Sequence, residues 1–138
     1  MVERELTLKV AWELGWRWNT ETVLECPGFV WIRIWDPSGN AVHADKYGGR
    51  GFRNIPEYAG STIESQLPEY AADMNDAQML LLIMNNRADN EAEYGLFYDT
   101  ANKKWRVDEM IWQHGHVDVF TVSMHDDPCI AICEAFLL

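Results

Sequence analysis

The stretch YGLFYDTANKKWRVD, residues 94–108, indicates the fold most directly. Residues 94–98 and 104–108 each have the composition of a short strand, and Asp-Thr-Ala-Asn at residues 99–102 is a turn sequence between them. Two strands joined by so tight a turn run antiparallel. We therefore expect a sheet that is mainly antiparallel.

The rest of the chain supplies helices and more strands around this hairpin. Three segments have the apolar spacing or the start signals of helices: residues 3–14, 68–84 and 129–138. Three further segments have the character of strands: residues 29–35, 41–47 and 117–124. The run at residues 79–84 is apolar all round, which predicts that the middle helix is the most buried element. We predict the α+β class: a single domain over residues 1–138, an α/β/α sandwich with three helices on a mostly antiparallel sheet of about five strands.

Composition bounds the class of protein. The chain has 138 residues, of which 48% are hydrophobic and 24% charged, as in one globular domain. Eleven Lys and Arg against 22 Asp and Glu give a net charge of −11, which argues against direct binding to nucleic acid or to anionic membranes. No apolar run could span a bilayer, and the N-terminus lacks a signal-peptide core. Three cysteines without paired spacing predict a reducing compartment, so we expect a cytoplasmic protein.

Three short stretches carry a resemblance to a known family: VAWELGW at residues 10–16, IPEY at residues 55–58 and PCIAICEA at residues 128–135. Together they resemble the phage ABA sandwich domain family. The resemblance implies an α/β/α sandwich encoded by a bacteriophage and working in the host cytoplasm. Since the family is largely without assigned function, it implies no catalytic residues and no cofactor. It does suggest a context, because small phage accessory proteins of this kind are often suspected of acting on host defence.

The first candidate site is the segment KYGGRGFR, residues 46–53, which holds three of the eleven cations and no acid. Its glycines allow backbone N–H groups to approach a ligand, and arginine forks suit phosphate or carboxylate. Its aromatic rings could stack on a nucleobase. The candidate ligand-binding residues are Lys46, Tyr47, Arg50, Phe52 and Arg53. The alternative is a surface loop whose cations pair with residues 54–102, where the net charge is −8.

The second candidate is aromatic. The chain has seven tryptophans, and alternation over residues 29–35 puts Trp31, Arg33 and Trp35 on one face of a strand. An arginine between two indoles can form a stacked surface for a planar ligand or a partner. The alternative is that the rings fill the core, in which case Arg33 would have to be buried or paired.

Metal and nucleophile chemistry have weaker signals. His114 and His116 would share a strand face, with Asp118 or His125 as a third ligand, but no second His or Cys pair supports a metal site. Neither Cys26 nor Ser123 lies in a nucleophile motif. We predict no catalytic residue, no cofactor and no metal, and keep the two histidines as the alternative metal candidates.

These observations lead to one functional prediction with two alternatives. We predict a non-enzymatic binding protein that sequesters an anionic, nucleotide-like small molecule, such as a host-defence signal. The first alternative is an acidic inhibitor or adaptor that docks residues 54–102 on a basic host protein. The second is a metal-dependent phosphodiesterase that uses His114 and His116. The sequence leaves open whether the chain forms a homo-oligomer.

Overall fold

The computed structural model describes residues 3–22, 30–42, 52–54, 63–88 and 91–138. The chain divides into two compact units, one holding Met1–Val10 with Glu69–Leu138 and the other holding Ala11–Pro68. Each unit contains a three-stranded antiparallel sheet. The first helix, α1 (Glu3–Leu14), begins in one unit and ends in the other.

Helix α1 has the bounds that its apolar spacing predicts. It ends at Gly15, where φ is +107°, a conformation that costs glycine least. The Gly15 N–H donates to the Trp12 carbonyl at 3.1 Å, and the Trp16 N–H donates to the Ala11 carbonyl at 3.0 Å. These two bonds satisfy carbonyls that the helix end would otherwise leave unpaired.

The unit of Ala11–Pro68 contains strands β1 (Arg17–Thr22), β2 (Val30–Trp35) and β3 (Phe52–Asn54), with β2 in the centre. The predicted turn after β2 is present: the Asp36 carboxylate accepts from the Ser38 and Asn40 N–H groups at 2.9 and 3.0 Å. The return strand expected at residues 41–47 is described only at its start, where Ala41 forms an isolated bridge with Trp35. Residues 43–47 lie outside the described part of the chain.

The other unit contains strands β4 (Ala92–Asp99), β5 (Lys104–Gln113) and β6 (His116–His125), again with the second strand in the centre. The predicted turn at residues 99–102 joins β4 to β5, and the Asp99 carboxylate accepts from the N–H groups of Ala101 and Asn102. All three strands extend beyond their predicted bounds. The register of β5 and β6 shifts between Val107 and Asp108, which marks a β-bulge.

Two helices complete this unit, α2 (Met74–Arg87) and α3 (Pro128–Phe136). Helix α2 begins at Met74 and not at Pro68, because the Asp73 side chain caps it by accepting from the Asn75 and Asp76 N–H groups. Helix α3 begins as predicted, with Asp127 accepting from two N–H groups of the first turn and Pro128 following it.

The structure corrects two sequence predictions about packing. The α+β class and the antiparallel pairing are confirmed, but the six described strands form two sheets of three and not one sheet of about five. Each described strand pairs only with a strand next to it in chain order, so each sheet is completed within its own unit. The middle helix α2 is not the most buried element: Met79 and Leu82 are each 52% exposed, whereas six of the nine residues of α3 are buried.

Candidate functional site

The aromatic row of β2 is formed by Trp31, Arg33 and Trp35. Between them lie Ile32 and Ile34, which are 0% and 4% exposed and belong to the core. The three residues of the row are half-buried. Because successive side chains of a strand point to opposite faces, the row and the core residues lie on opposite sides of β2. The face of the aromatic row is therefore partly exposed to solvent, whereas the face of the isoleucines is buried.

The neighbouring strands bring polar residues to this row. In the register of β1 and β2, Asn19 lies opposite Arg33 and Arg17 lies opposite Trp35. In the register of β2 and β3, Arg53 lies opposite Trp31. Register partners in antiparallel strands share a face, so these positions belong to the same face as the row. The sequence alone did not bring Arg53 together with the tryptophans.

Arg17 is committed to a structural role. Its Nη1 donates to the carbonyls of Trp12 at 2.7 Å and Trp16 at 2.6 Å, and its guanidinium carbon lies 4.1 Å from the centroid of the Trp12 ring. The Trp12 and Trp18 rings pack edge to face, with centroids 5.2 Å apart. Trp12 and Trp18 therefore help to fix the end of α1 beside β1, and we assign them no ligand.

The basic segment at residues 46–53 is described only in part. Lys46, Tyr47 and Arg50 lie outside the described residues. Phe52 and Arg53 are not loop residues as predicted, because both belong to β3 and take their places in the ladder with Ile32 and Trp31. The backbone of these two residues is thus engaged in pairing with β2 and cannot wrap a ligand as a loop.

The histidine pair does not have the predicted geometry. His114 and Gly115 form the turn between β5 and β6, with φ of +50° and +82°, so the two histidines are not alternate residues of one strand. His116 Nε2 lies 3.7 Å from Asp118 Oδ2, and both side chains are more than half exposed. Among the described residues, no group of three or more His, Cys, Asp or Glu is placed to hold a metal ion.

Candidate nucleophiles are engaged elsewhere or protonated. The Ser123 hydroxyl donates to the Ala131 carbonyl at 2.5 Å, and His125 Nδ1 accepts from the Asp127 N–H at 3.0 Å, so this serine and histidine do not pair. Burial raises the pKa of Cys129 to about 11 and that of Cys133 to about 12, which keeps both thiols protonated at neutral pH. Cys26 lies outside the described residues.

Sequence reasoning missed a buried carboxylate at the centre of the β4–β5–β6 sheet. Asp108 is 1% exposed, and its carboxylate accepts from Arg106 Nε and from the Thr121 hydroxyl, each at 2.9 Å. Arg106 also reaches Asp99 at 3.5 Å, and side-chain and backbone hydrogen bonds from Asn102 lower the pKa of Asp99. No motif marks such a network, since it depends on the pairing of β5 with both neighbouring strands.

A shallow groove of about 200 Å³ is the second feature that sequence reasoning missed. The Arg87 guanidinium lies 5.6 Å from the centroid of the Phe136 ring in its wall. The Tyr94 hydroxyl donates to Glu109 Oε2 at 2.5 Å. The Asn85 side chain accepts from the Tyr94 N–H and donates to the Tyr94 carbonyl. The hydroxyl and the backbone of Tyr94 thus have partners within the unit, and the groove volume is below that of most small-molecule sites.

Neither the comparisons with known proteins nor the search for membrane-spanning helices assigns a function. Searches against protein-family models, curated protein sequences and solved structures found no match. No helix in the described part of the chain has the length and apolar character needed to cross a membrane.

Proposed function

We propose that the chain is a non-enzymatic binding protein for an anionic, nucleotide-like small molecule, which it holds on the aromatic row of β2. The observation that carries this proposal is the unequal burial of the two faces of β2. Ile32 is fully buried on one face, while Arg33 and its two flanking indoles are only half-buried on the other. A guanidinium flanked by indoles offers both a charged fork and stacking surfaces.

The chemistry of the row fits a ligand that combines an anion with a planar ring. A guanidinium binds phosphate or carboxylate through two parallel hydrogen bonds, and an indole stacks on any nucleobase for about 1–3 kcal/mol. The register partners of Trp31 are Arg53 of β3 and Glu21 of β1, and Arg53 remains a proposed contributor. Lys46, Tyr47 and Arg50 remain proposed contributors from the adjoining segment, whereas Phe52, the register partner of Ile32, occupies a position on the opposite face.

The net charge favours a small anion over a polyanion. A chain with a net charge of −11 repels the long phosphate backbone of a nucleic acid, while a single phosphate needs only local positive charge. Such a protein requires affinity and no catalytic pair. The separate engagement of Ser123 and His125 supports this reading, because neither side chain activates the other.

The cellular context is part of the proposal. It comprises an α/β/α sandwich encoded by a phage, residence in the host cytoplasm, and capture of a host-defence nucleotide signal. Its support is the family resemblance of three short stretches and a cysteine spacing that predicts a reducing compartment. The phosphodiesterase alternative is not retained, because the turn at His114 and Gly115 removes its metal geometry.

Isothermal titration calorimetry tests the binding proposal. The probes are a purine nucleoside monophosphate, the same nucleoside without phosphate, and inorganic phosphate. We expect the nucleotide to bind more tightly than either part, and Arg33→Met to weaken it at least about ten-fold, since a hydrogen bond to a charged group contributes about 1.5–3 kcal/mol. Lys104→Met, at an exposed lysine of the other sheet, is the matched control and should bind like the wild type. Equal binding by the wild type and Arg33→Met, or no binding of the nucleotide, would show the proposal to be wrong.

The second candidate function is docking on a basic host protein. It is favoured by charge distribution, because residues 54–102 hold one basic and nine acidic side chains, a net charge of −8. Complementary charges steer such an association, and salt weakens it. A defined basic host protein that binds at about 50 mM salt and is released at about 300 mM would support this candidate. Binding that is insensitive to salt would argue against it.

A further inference from the structure

Strand β6 is an edge of the β4–β5–β6 sheet, and residues 116–121 in its first part are all exposed. An exposed edge presents unpaired backbone groups to other chains, and natural proteins usually protect it with Lys, Pro or a covering element. The sequence of β6, HVDVFTVSMH, contains neither Lys nor Pro. In the described part of the chain, β5 is the one strand that pairs with β6.

The exposed part of β6 is also apolar on both faces. Val119 and Phe120 are each 53% exposed, and they point to opposite faces as neighbours in a strand. Trp112 of β5, 55% exposed, lies opposite Val117 in the register and extends the patch. Together these side chains expose roughly 400 Å² of apolar surface, divided between the two faces that flank the edge.

We propose that β6 pairs antiparallel with β6 of a second copy of this chain, so that the two sheets join into one of six strands. A strand edge is self-complementary under a two-fold axis perpendicular to the sheet, because each copy donates and accepts the same backbone hydrogen bonds. The axis passes through Val119, so that this valine of one copy faces the same valine of the other. Asp118 of each copy then lies opposite Phe120 of the other, whereas an axis at Asp118 would place like charges opposite each other.

The available surface suits a reversible dimer. The edge residues Val117, Val119 and Phe120 expose roughly 250 Å² of apolar surface per copy, and if about 60% of the contact is apolar the total is about 800 Å², the size of a weak, reversible interface. Each copy carries a net charge of −11, so the two copies repel each other at low ionic strength. Added salt should therefore strengthen the dimer, which is the opposite of its effect on a complex with a basic protein.

Disulfide trapping tests the register. Directly opposed Cα atoms of antiparallel strands lie about 4.5–5.5 Å apart, within reach of a disulfide. Val119→Cys should therefore cross-link two copies under mild oxidation. Val117→Cys is the matched control, because in this register the position 117 cysteines of the two copies would lie about 13 Å apart along the strands. The native Cys129 and Cys133 are buried, and the wild type reports the background from all three native cysteines. We expect at least about five-fold more covalent dimer with Val119→Cys than with Val117→Cys; equal yields would overturn the proposed register.

Sedimentation equilibrium from about 5 μM to about 500 μM tests the dimer itself. We expect a concentration-dependent dimer that Val119→Lys weakens at least about ten-fold, because the substitution places two cations opposite each other. Leu82→Lys, at an equally exposed residue of α2, should change the dissociation constant less than about two-fold. Circular dichroism establishes that both variants are folded. A monomer at every concentration, or a dimer that Val119→Lys leaves unchanged, would overturn the proposal.

Discussion

The buried carboxylate of Asp108 gives a prediction whose size follows from the structure. Asp108 lies on the central strand β5, is 1% exposed, and accepts at 2.9 Å from both Arg106 Nε and the Thr121 hydroxyl. Arg106→Met keeps most of the aliphatic stem and removes the charged donor. The carboxylate then stays buried without its cation.

The expected cost comes from the burial of the two partners. Removing one partner of a fully buried ion pair costs about 3–5 kcal/mol. The Arg106 side chain is 35% exposed, so water compensates part of the lost interaction, and we expect a decrease of about 2–3 kcal/mol in the free energy of unfolding. Thr121→Val removes one hydrogen bond to the same carboxylate and should cost about 1–2 kcal/mol.

Urea unfolding, followed by tryptophan fluorescence and circular dichroism, measures these changes. In a double-mutant cycle, Asp108→Asn should make Arg106→Met less costly, with a coupling energy of at least about 1 kcal/mol. Lys104→Met on the same strand is the control and should change stability by less than about 0.5 kcal/mol. The reasoning is refuted if Arg106→Met costs no more than this control, or if the cycle shows no coupling.

Three further predictions concern the ends of elements and a buried thiol. Asp127→Ala should lower the free energy of unfolding by about 1 kcal/mol in urea denaturation because it removes the cap of α3, while the exposed Asp126→Ala should have little effect. Gly115→Ala should destabilise the protein by about 1 kcal/mol and lower its melting temperature, because φ is +82° at this turn and a side chain is strained there. An unchanged melting temperature would contradict this expectation. Burial raises the pKa of Cys133 from an ordinary 9.0 to about 12, so the unfolded thiol ionises first and stability falls as the pH rises from about 9 towards 12. By pH 10 this loss is on the order of 1 kcal/mol, and Cys133→Ala should show a correspondingly smaller fall between pH 8 and pH 10 in urea denaturation.

Elements with a strong local signal were predictable from the sequence. Helix α1 follows from its apolar spacing and from Gly15, and α3 follows from its acidic cap and Pro128. The alternation of β2 predicted that Trp31, Arg33 and Trp35 share a face. In each case the signal lies within one short segment and needs no knowledge of the partner elements.

Features that depend on pairing were not predictable. The strand β1, RWNTET, is polar and forms through its ladder with β2. The pair His114-Gly115 has the two-residue length of a hairpin turn, but the spacing of His114 and His116 suggested metal chemistry instead. The network of Asp108 and the position of Arg53 opposite Trp31 both depend on strand register, which the sequence does not specify.

The central claim, that the aromatic row of β2 binds a nucleotide-like anion, is tested most directly by NMR of the seven indole N–H groups. Trp31→Phe and Trp35→Phe assign the two signals of the row by their loss. On titration with a purine nucleoside monophosphate, we predict saturable shifts of these two signals, while Trp105 of the other sheet stays unchanged. Shifts at Trp105 with none at Trp31 and Trp35, or no shift at any indole, would contradict the account.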